Sequence, residues 1–380
     1  MVPSDICDDM ITWRRELHRF PELGFAETRT AARIAQILGA LGLEVTSGFA
    51  GTGVIGALQG RRGPGPSIGL RAELDALPIQ QQGDGLCRSE IPGVFHACGH
   101  DGHMAILLGA AAALARDPDF FGTAHFIFQP AEEMLNGGEA MIAAGLFDRF
   151  ACDEIYALHN APSLGVGNIA LRNGAILGAS DDFTLTVKGV GTHAAFPHFG
   201  VDAIFVAAAL IQALQSVVSR SLDPTECGIV TIGQILGGSA PNIIADEVVL
   251  TGTRRAGSLA ARELIGRRIA EICAGVASTY GAKIEIAEGL GCPPTVNAPG
   301  PVETVIRAAR KAGANVITDM PTLMGAEDFS TMLLQRPGCY FLLGQGGPMI
   351  HHPAYAFDES IMPLGAMTLT QIVHDRLGQS

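Results

Sequence analysis

The chain is poor in basic residues and gathers them nowhere. Twenty-five Lys and Arg stand against 38 Asp and Glu, a formal net charge of -13. The arginine doublets Arg14-Arg15, Arg61-Arg62, Arg254-Arg255 and Arg267-Arg268 are scattered. Neutralising a phosphate backbone needs clustered cations, so a nucleic-acid partner is excluded. Long hydrophobic runs are also missing: no apolar stretch reaches the ~20 residues that span a bilayer. The opening Met1-Val-Pro-Ser-Asp-Ile-Cys-Asp-Asp9 is acidic and lacks the basic and apolar regions of a signal peptide. The expectation is a cytoplasmic protein with no membrane partner. Eight cysteines (7, 87, 98, 152, 227, 273, 292, 339) include no CxxC pair. In a reducing compartment most serve as small buried hydrophobes. Internal repeats and low-complexity segments are absent, and 48% hydrophobic with 17% charged residues excludes disorder. At 380 residues, two domains is the natural expectation.

What is present is one dense cluster, His96-Ala-Cys98-Gly99-His100-Asp101-Gly-His103. Thiolate and imidazole suit zinc and its neighbours, and a carboxylate extends the choice to manganese. Cys98 and His100 are two apart, which puts both side chains on one side of an extended segment. From Met104 the run Ala-Ile-Leu-Leu-Gly-Ala-Ala-Ala-Ala-Leu-Ala is strongly helical. The cluster therefore sits on a loop feeding a helix start, where backbone amides favour anionic ligands.

Around it the chain alternates strands and helices. Residues 8 to 19 and 26 to 41 read as helices, the second closed by Gly42. Val54-Ile-Gly-Ala-Leu-Gln and Ser67-Ile-Gly-Leu-Arg-Ala read as strands, the second leading to Glu73 and Asp75. Ala124-His-Phe-Ile-Phe-Gln is a buried-type strand that ends before Glu132-Glu133. A short helix over 138 to 144 and the strand Glu154-Ile-Tyr-Ala-Leu follow, with His159-Asn160 at the strand's end. Polar, ligand-type residues thus repeatedly follow the exits of apolar strands, where open α/β sheets bind ligands. Adjacent residues on an extended segment point opposite ways, so Glu132 and Glu133 are expected to do separate jobs. Taken alone, His159 and the pair His351-His352 are as readily structural.

Near residue 181 the pattern changes. Asp182 to Lys188 alternates, Val201 to Ser219 is an apolar helix, and strands at 228–235 and 245–253 follow. Leu259 to Tyr280 is a helix and Ala282 to Glu288 a strand. Strand-helix-strand-strand-helix-strand is the ferredoxin-like order. The fold class expected is α/β: a mixed, mostly parallel sheet flanked by helices (1–180 and 292–380) with an inserted ferredoxin-like α+β domain (181–291). Cys292-Pro293-Pro294 reads as the return hinge, and the strand Cys339-Tyr-Phe-Leu-Leu with a last helix completes the first domain.

The motifs together resemble the metallopeptidase family of aminoacylases and glutamate carboxypeptidases, in the branch of hippurate hydrolases and auxin-conjugate amidohydrolases. The match is carried by Trp13 to His18 with Pro21-Glu22-Leu23-Gly24, Arg71 to Pro78, His96 to His103, and Phe128-Gln-Pro-Ala-Glu-Glu133. It continues through His159-Asn160, Gly191-Thr-His193-Ala-Ala-Phe-Pro-His198, Ala240-Pro-Asn242, Gly325-Ala-Glu-Asp-Phe-Ser330 and His351 to Tyr355.

The resemblance implies a site for two divalent metal ions, zinc or manganese with nickel or cobalt as alternatives. Cys98 would bridge them, with His100, Glu133, His159 and His351 as the other ligands; His351 is chosen over His352 on the His-x-Pro spacing. Glu132 would be the general base for a metal-activated water. The resemblance also implies that His193 reaches the active site of a partner subunit and supports the oxyanion, with Asn242 assisting and Arg255 anchoring a substrate carboxylate. A homodimer follows, with a tetramer the alternative. The substrate class implied is an N-acyl or N-aroyl amino acid; a dipeptidase and a non-catalytic metal-binding protein are the competing readings. Two departures stand out. Glu73 occupies a position where the branch usually has Asp, and Thr192 replaces a common glycine before His193.

Overall fold

The apolar run after the histidine cluster forms a helix buried almost all round, and the first sheet is assembled against it. A computed structural model describes residues 2–83 and 87–378. The chain divides into two compact units, Met1–Ile176 with Thr295–Pro321 and Asp328–Ser380, and Leu177–Pro294 with Thr322–Glu327.

In the first unit, α1 (Ser4–Arg19) and α2 (Thr28–Ala40) lead into β1 (Glu44–Phe49), β2 (Gly53–Gln59) and β3 (Ser67–Glu73). Helix α1 begins earlier than the sequence suggests, at Ser4, with Pro3 as its N-cap residue and the Pro3 carbonyl accepting the Cys7 N–H at 3.1 Å. Next come α3 (His100–Arg116), β4 (Thr123–Gln129), α4 (Gly137–Ala143), α5 (Leu146–Arg149), β5 (Glu154–Ala161), β6 (Asn168–Ala170) and β7 (Gly174–Leu177). After the second unit the chain returns through β14 (Thr295–Asn297), α8 (Pro299–Ala312), β15 (Asn315–Ile317), α9 (Phe329–Leu333), β16 (Gly338–Gly344) and α10 (Met362–Leu377). The strands form one sheet in the order β1-β2-β4-β3-β5-β16-β6-β15. Its centre, β4-β3-β5-β16, is parallel, while β1-β2, β2-β4 and β16-β6 are antiparallel.

Strands β3, β4 and β5 are buried along nearly their whole length, as parallel strands covered on both faces must be. Their apolar runs, Ile68 to Leu70 and Phe126 to Phe128, follow from that double cover. Helix α3 packs on β3 and against α1 and α10, which fixes the start of α3 beside the C-terminal ends of β3, β4 and β5. Those ends are where the charged residues collect.

The second unit is β8 (Ala179–Lys188), β9 (Thr192–His193), α6 (Ala203–Leu214), β10 (Gly228–Gly237), β11 (Ile243–Ile244), β12 (Glu247–Ala256), α7 (Leu259–Tyr280) and β13 (Lys283–Cys292). Its antiparallel sheet runs β10-β12-β8-β13, the ferredoxin-like arrangement. Alternation in β8 and β12 turns Phe183, Leu185, Val187, Val248 and Leu250 onto one buried face, against Val206, Leu210, Ile265 and Ile269 of the two helices. The second unit begins at Leu177 and its strand β8 at Ala179, before the alternating pattern becomes visible at Asp182. Among the described residues one helical stretch, Ala203–Ser221, is long and apolar enough by composition to cross a membrane. In the structure α6 ends at Leu214, and its apolar side, Val206, Ala207 and Leu210, is buried on the sheet.

Candidate metal centre

Cys98 and His100 come together by a turn. Gly99 takes a left-handed conformation, φ 98°, which glycine alone adopts at no steric cost. A Cβ there would lie 2.4 Å from Asn160 Oδ1 and 2.6 Å from Tyr355 Oη. The extended segment expected from the sequence is therefore corrected: His100 is the first residue of α3, four before the helical run is obvious. His100 Nδ1 donates to the carbonyl of Asp75 at 2.9 Å. This turns Nε2 towards Glu132 and Glu133, whose carboxylate oxygens lie 3.8 and 3.9 Å away. His159, on β5, donates from Nδ1 to the Asn160 carbonyl at 2.7 Å, which leaves the Nε2 lone pair 3.3 Å from Cys98 Sγ.

The two glutamates differ from expectation in the same way. After β4 the chain passes through Ala131 (φ 52°) into a single 3₁₀ turn, Glu132–Met134, closed by Leu135 (φ 55°). A 3₁₀ turn does not send neighbours to opposite faces, so both carboxylates face His100. The Glu133 N–H donates to Asp75 Oδ2 at 3.0 Å. Glu133 Oε1 stands 3.4 Å from His351 Nε2. His351 has φ 64°, and its N–H donates to the Ala97 carbonyl at 2.8 Å, tying its loop to the residue before Cys98. His352 instead accepts the Ala354 N–H at Nδ1, 3.1 Å away.

Two groups of ligand atoms result, Cys98 with His100 and His159, and Cys98 with Glu133 and His351, each within 4.8 Å. A third, His100 with Glu132 and Glu133, overlaps both. His100 Nε2 and Glu133 Oε1 are buried with no well-formed hydrogen bond, and buried polar atoms are rarely left so. The charges agree. Burial, then Glu133, Glu132 and Glu73, push the Cys98 thiol well above its usual value. Burial opposes charge on His100, but its bond to Asp75 and the Glu73, Asp75 and Glu133 carboxylates outweigh it, pushing it up to about 10. Burial, followed by the neighbouring His103, brings His159 down to about 3, so it stays a neutral donor. A soft thiol, two imidazoles facing inward and excess negative charge fit a divalent cation.

Behind the ligands lies a layer that sequence reasoning left without roles. His103, three residues after His100 and so on the same helix face, bonds Glu73 Oε2 through Nδ1 at 2.8 Å and Asn160 Oδ1 through Nε2 at 2.7 Å. Burial works against the Glu73 carboxylate, but Arg71 and His103 hold it well below its usual value. The extra methylene at Glu73 is accommodated by this bond to His103. Arg71 also reaches Gln129 and Asp328, at 2.9 and 3.1 Å.

His193, Asn242 and Arg255 belong to the second unit. His193 in β9 pairs with Ile243 in β11, and the Ala194 N–H donates to the Asn242 carbonyl at 3.0 Å, so His193 and Asn242 share one small ribbon. The Ala195 N–H donates to His193 Nδ1 at 3.0 Å, which puts the ring proton of the neutral imidazole on Nε2. Thr192 lies against Gly200, where a Cβ would meet its Cγ2 at 2.7 Å. Arg255 lies on the β12 face turned away from the helices and forms no ion pair among the described residues. Arg254 faces the other way and bonds Asp181 and Glu288.

A model of peptidase family M20/M25/M40 matches residues 69–375. N-acetyl-L-cysteine deacetylase of Bacillus subtilis (strain 168) is 38% identical over 359 residues, covering 94% of this chain and 85% of the relative. N-acetyldiaminopimelate deacetylase of Enterococcus faecalis (strain ATCC 700802 / V583) is 37% identical over 354 residues, covering 91% and 92%. The crystal structure of a dinuclear metal-binding M20 peptidase from Bacillus subtilis superposes with a TM-score of 0.87 at 30% identity, over all of both chains. The family model and these near full-length similarities agree, and the chain belongs to peptidase family M20/M25/M40.

Proposed function

We propose that the protein is a metal-dependent amidohydrolase that cleaves N-acyl or N-aroyl amino acids to a carboxylic acid and an amino acid. The observation that carries this reading is Cys98 standing in both ligand groups, with Glu132 beside His100. Cys98, His100, Glu133, His159 and His351 would hold two divalent cations, zinc or manganese with nickel or cobalt as alternatives. Bound there, the cations supply a water acidic near neutral pH and polarise the amide carbonyl. Glu132 takes the proton from the attacking water and returns it to the departing amine nitrogen, so acid and amine leave in balance. Asp75 and His103 keep the histidines and Glu133 in register.

A homodimer, with the tetramer as alternative, completes this reading. The edge strand β10 exposes Ile235 and Leu236, and α6 exposes Ile204 and Phe205. A bare edge with apolar neighbours is a pairing surface rather than a stable free rim. In such a dimer the partner's His193 donates from Nε2 to the oxyanion, Asn242 holds its ribbon, and Arg255 pairs with the substrate carboxylate. Eight free cysteines suit a reducing cytoplasm.

The test is hydrolysis by metal-stripped protein, assayed before and after adding zinc, manganese, cobalt or nickel. The panel holds N-acetyl and N-benzoyl amino acids beside dipeptides. Metal-restored cleavage of the acyl series is expected. Cleavage confined to dipeptides would make the protein a peptidase, and two bound ions with no cleavage would leave a binding protein.

A further inference from the structure

The segment Pro21 to Glu27 has no part in the chemistry above, yet it touches both loops that present the carboxylates. The Ala76 N–H donates to the Glu22 carbonyl at 2.8 Å, and Leu23 bridges to Ala76, directly after Asp75. Gly24 lies against Ala131: a Cβ on Gly24 would meet Ala131 Cβ and Met134 Sδ at 3.0 Å. Glu27 sits at the N-cap position of α2, where an acidic side chain ordinarily accepts from first-turn amides. Here Glu22 takes that role, accepting the Arg29 and Thr30 N–H groups at 3.1 and 2.8 Å.

Glu27 is thereby released to face inward. It is fully buried and forms no ion pair among the described residues. Its carboxylate accepts from Thr52 Oγ1 at 2.6 Å and from the Ala131 N–H at 2.9 Å. An unpaired buried carboxylate is costly, and burial raises its pKa. Ala131 is a non-glycine residue in the left-handed region, a conformation that persists only when its surroundings hold it. The residue after it is Glu132.

We propose that Glu27 is a positioning residue: by holding the Ala131 N–H it fixes the left-handed turn that aims Glu132 at the metal centre. Asp75 holds Glu133 from the other side through the Glu133 N–H, so the two neighbouring glutamates are braced independently. Loss of Glu27 then misplaces the base while leaving the ligands. For its turnover readout the proposal rests on the amidohydrolase reading; for its structural readout it does not.

The experiment compares Glu27→Ala, Glu27→Asp and Glu27→Gln in the full-length, metal-loaded protein. It measures amide hydrogen exchange over residues 130–135, bound metal, kcat and KM. Gln keeps an oxygen for the Ala131 N–H and an NH₂ for Thr52, whereas Asp is too short to span both. The expected result is faster exchange in the Ala and Asp variants, with kcat down about ten- to a hundredfold, KM and metal content unchanged, and Gln close to wild type. Should Glu27→Ala fail to fold, Glu27→Asp carries the comparison. Unchanged exchange or unchanged kcat overturns the proposal. So does a kcat that falls only with lost metal, or a Gln variant as impaired as Ala. If wild type cleaves no amide while exchange follows Glu27, the brace stands and the amidohydrolase reading falls.

Discussion

The backbone carbonyl of Asp75 accepts from His100 Nδ1 at 2.9 Å, while its carboxylate accepts the Glu133 N–H at 3.0 Å. One residue at the exit of β3 thus sets the start of α3 and the turn after β4 relative to each other. Partners of this kind orient metal ligands, and their loss typically weakens metal binding ten- to a hundredfold. Asp75→Ala, which keeps the carbonyl and loses the carboxylate, is expected to show about that loss in a chelator competition. Asp75→Asn retains an oxygen for Glu133 and should lose less. Equal affinity in all three proteins would remove Asp75 from the orienting set.

His351 and His352 are neighbours with opposite engagements. His351 Nε2 points at Glu133 Oε1, whereas His352 Nδ1 accepts an N–H of its own loop. Replacing His351 with Ala should cost one bound metal ion per chain, read by elemental analysis after dialysis. Replacing His352 with Ala should leave metal content unchanged and alter stability by less than about 1 kcal/mol. The reverse pattern would transfer the ligand role to His352.

How far the sequence reaches is visible in this same cluster. The density of donors around Cys98 and the polar residues after apolar strands point to the site, because ligand chemistry restricts residue types. The local geometry was hidden. Gly99 and Ala131 each take a positive φ, and one left-handed residue breaks the period on which reasoning about Cys98 and His100, or Glu132 and Glu133, depends. The ferredoxin-like unit was legible because β8 and β12 alternate on a sheet covered on one face. The association of His193 with Asn242 came from the resemblance alone, since a two-residue ribbon such as β9-β11 leaves no periodicity. The roles of His103 and Glu27 are likewise tertiary: each is defined by a partner distant in sequence.

Asp181 offers a test of the second unit in acid. Burial raises its pKa, but Arg262 and Arg254 outweigh that and hold it below its usual value. A lowered folded pKa stabilises above the unfolded value, near 3.9, and that stability fades as pH falls through the folded one. At pH 7 Asp181→Ala should therefore cost roughly 1–3 kcal/mol in a urea titration. The gap to wild type should narrow below about pH 4. A gap that does not change with pH would show that the loss is one of packing.

The division of labour between subunits makes the sharpest prediction. Glu132→Ala should lower turnover about 10²- to 10⁴-fold while metal stays bound, and His193→Ala should lower it about 10²- to 10³-fold through the oxyanion. Suppose each site combines its own Glu132 with the partner's His193. In a mixed dimer of the two variants, the chain lacking His193 keeps its glutamate and receives an intact histidine. The other site in that dimer lacks both groups. Random exchange at equal amounts gives half mixed dimers, so about a quarter of wild-type activity should return. If each site used its own histidine, no site would be complete and nothing would return. Phe205→Asp or Ile235→Asp, placed on the exposed faces of α6 and β10, should block the rescue by preventing association. Rescue that survives a demonstrated monomer would separate His193 from the dimer altogether.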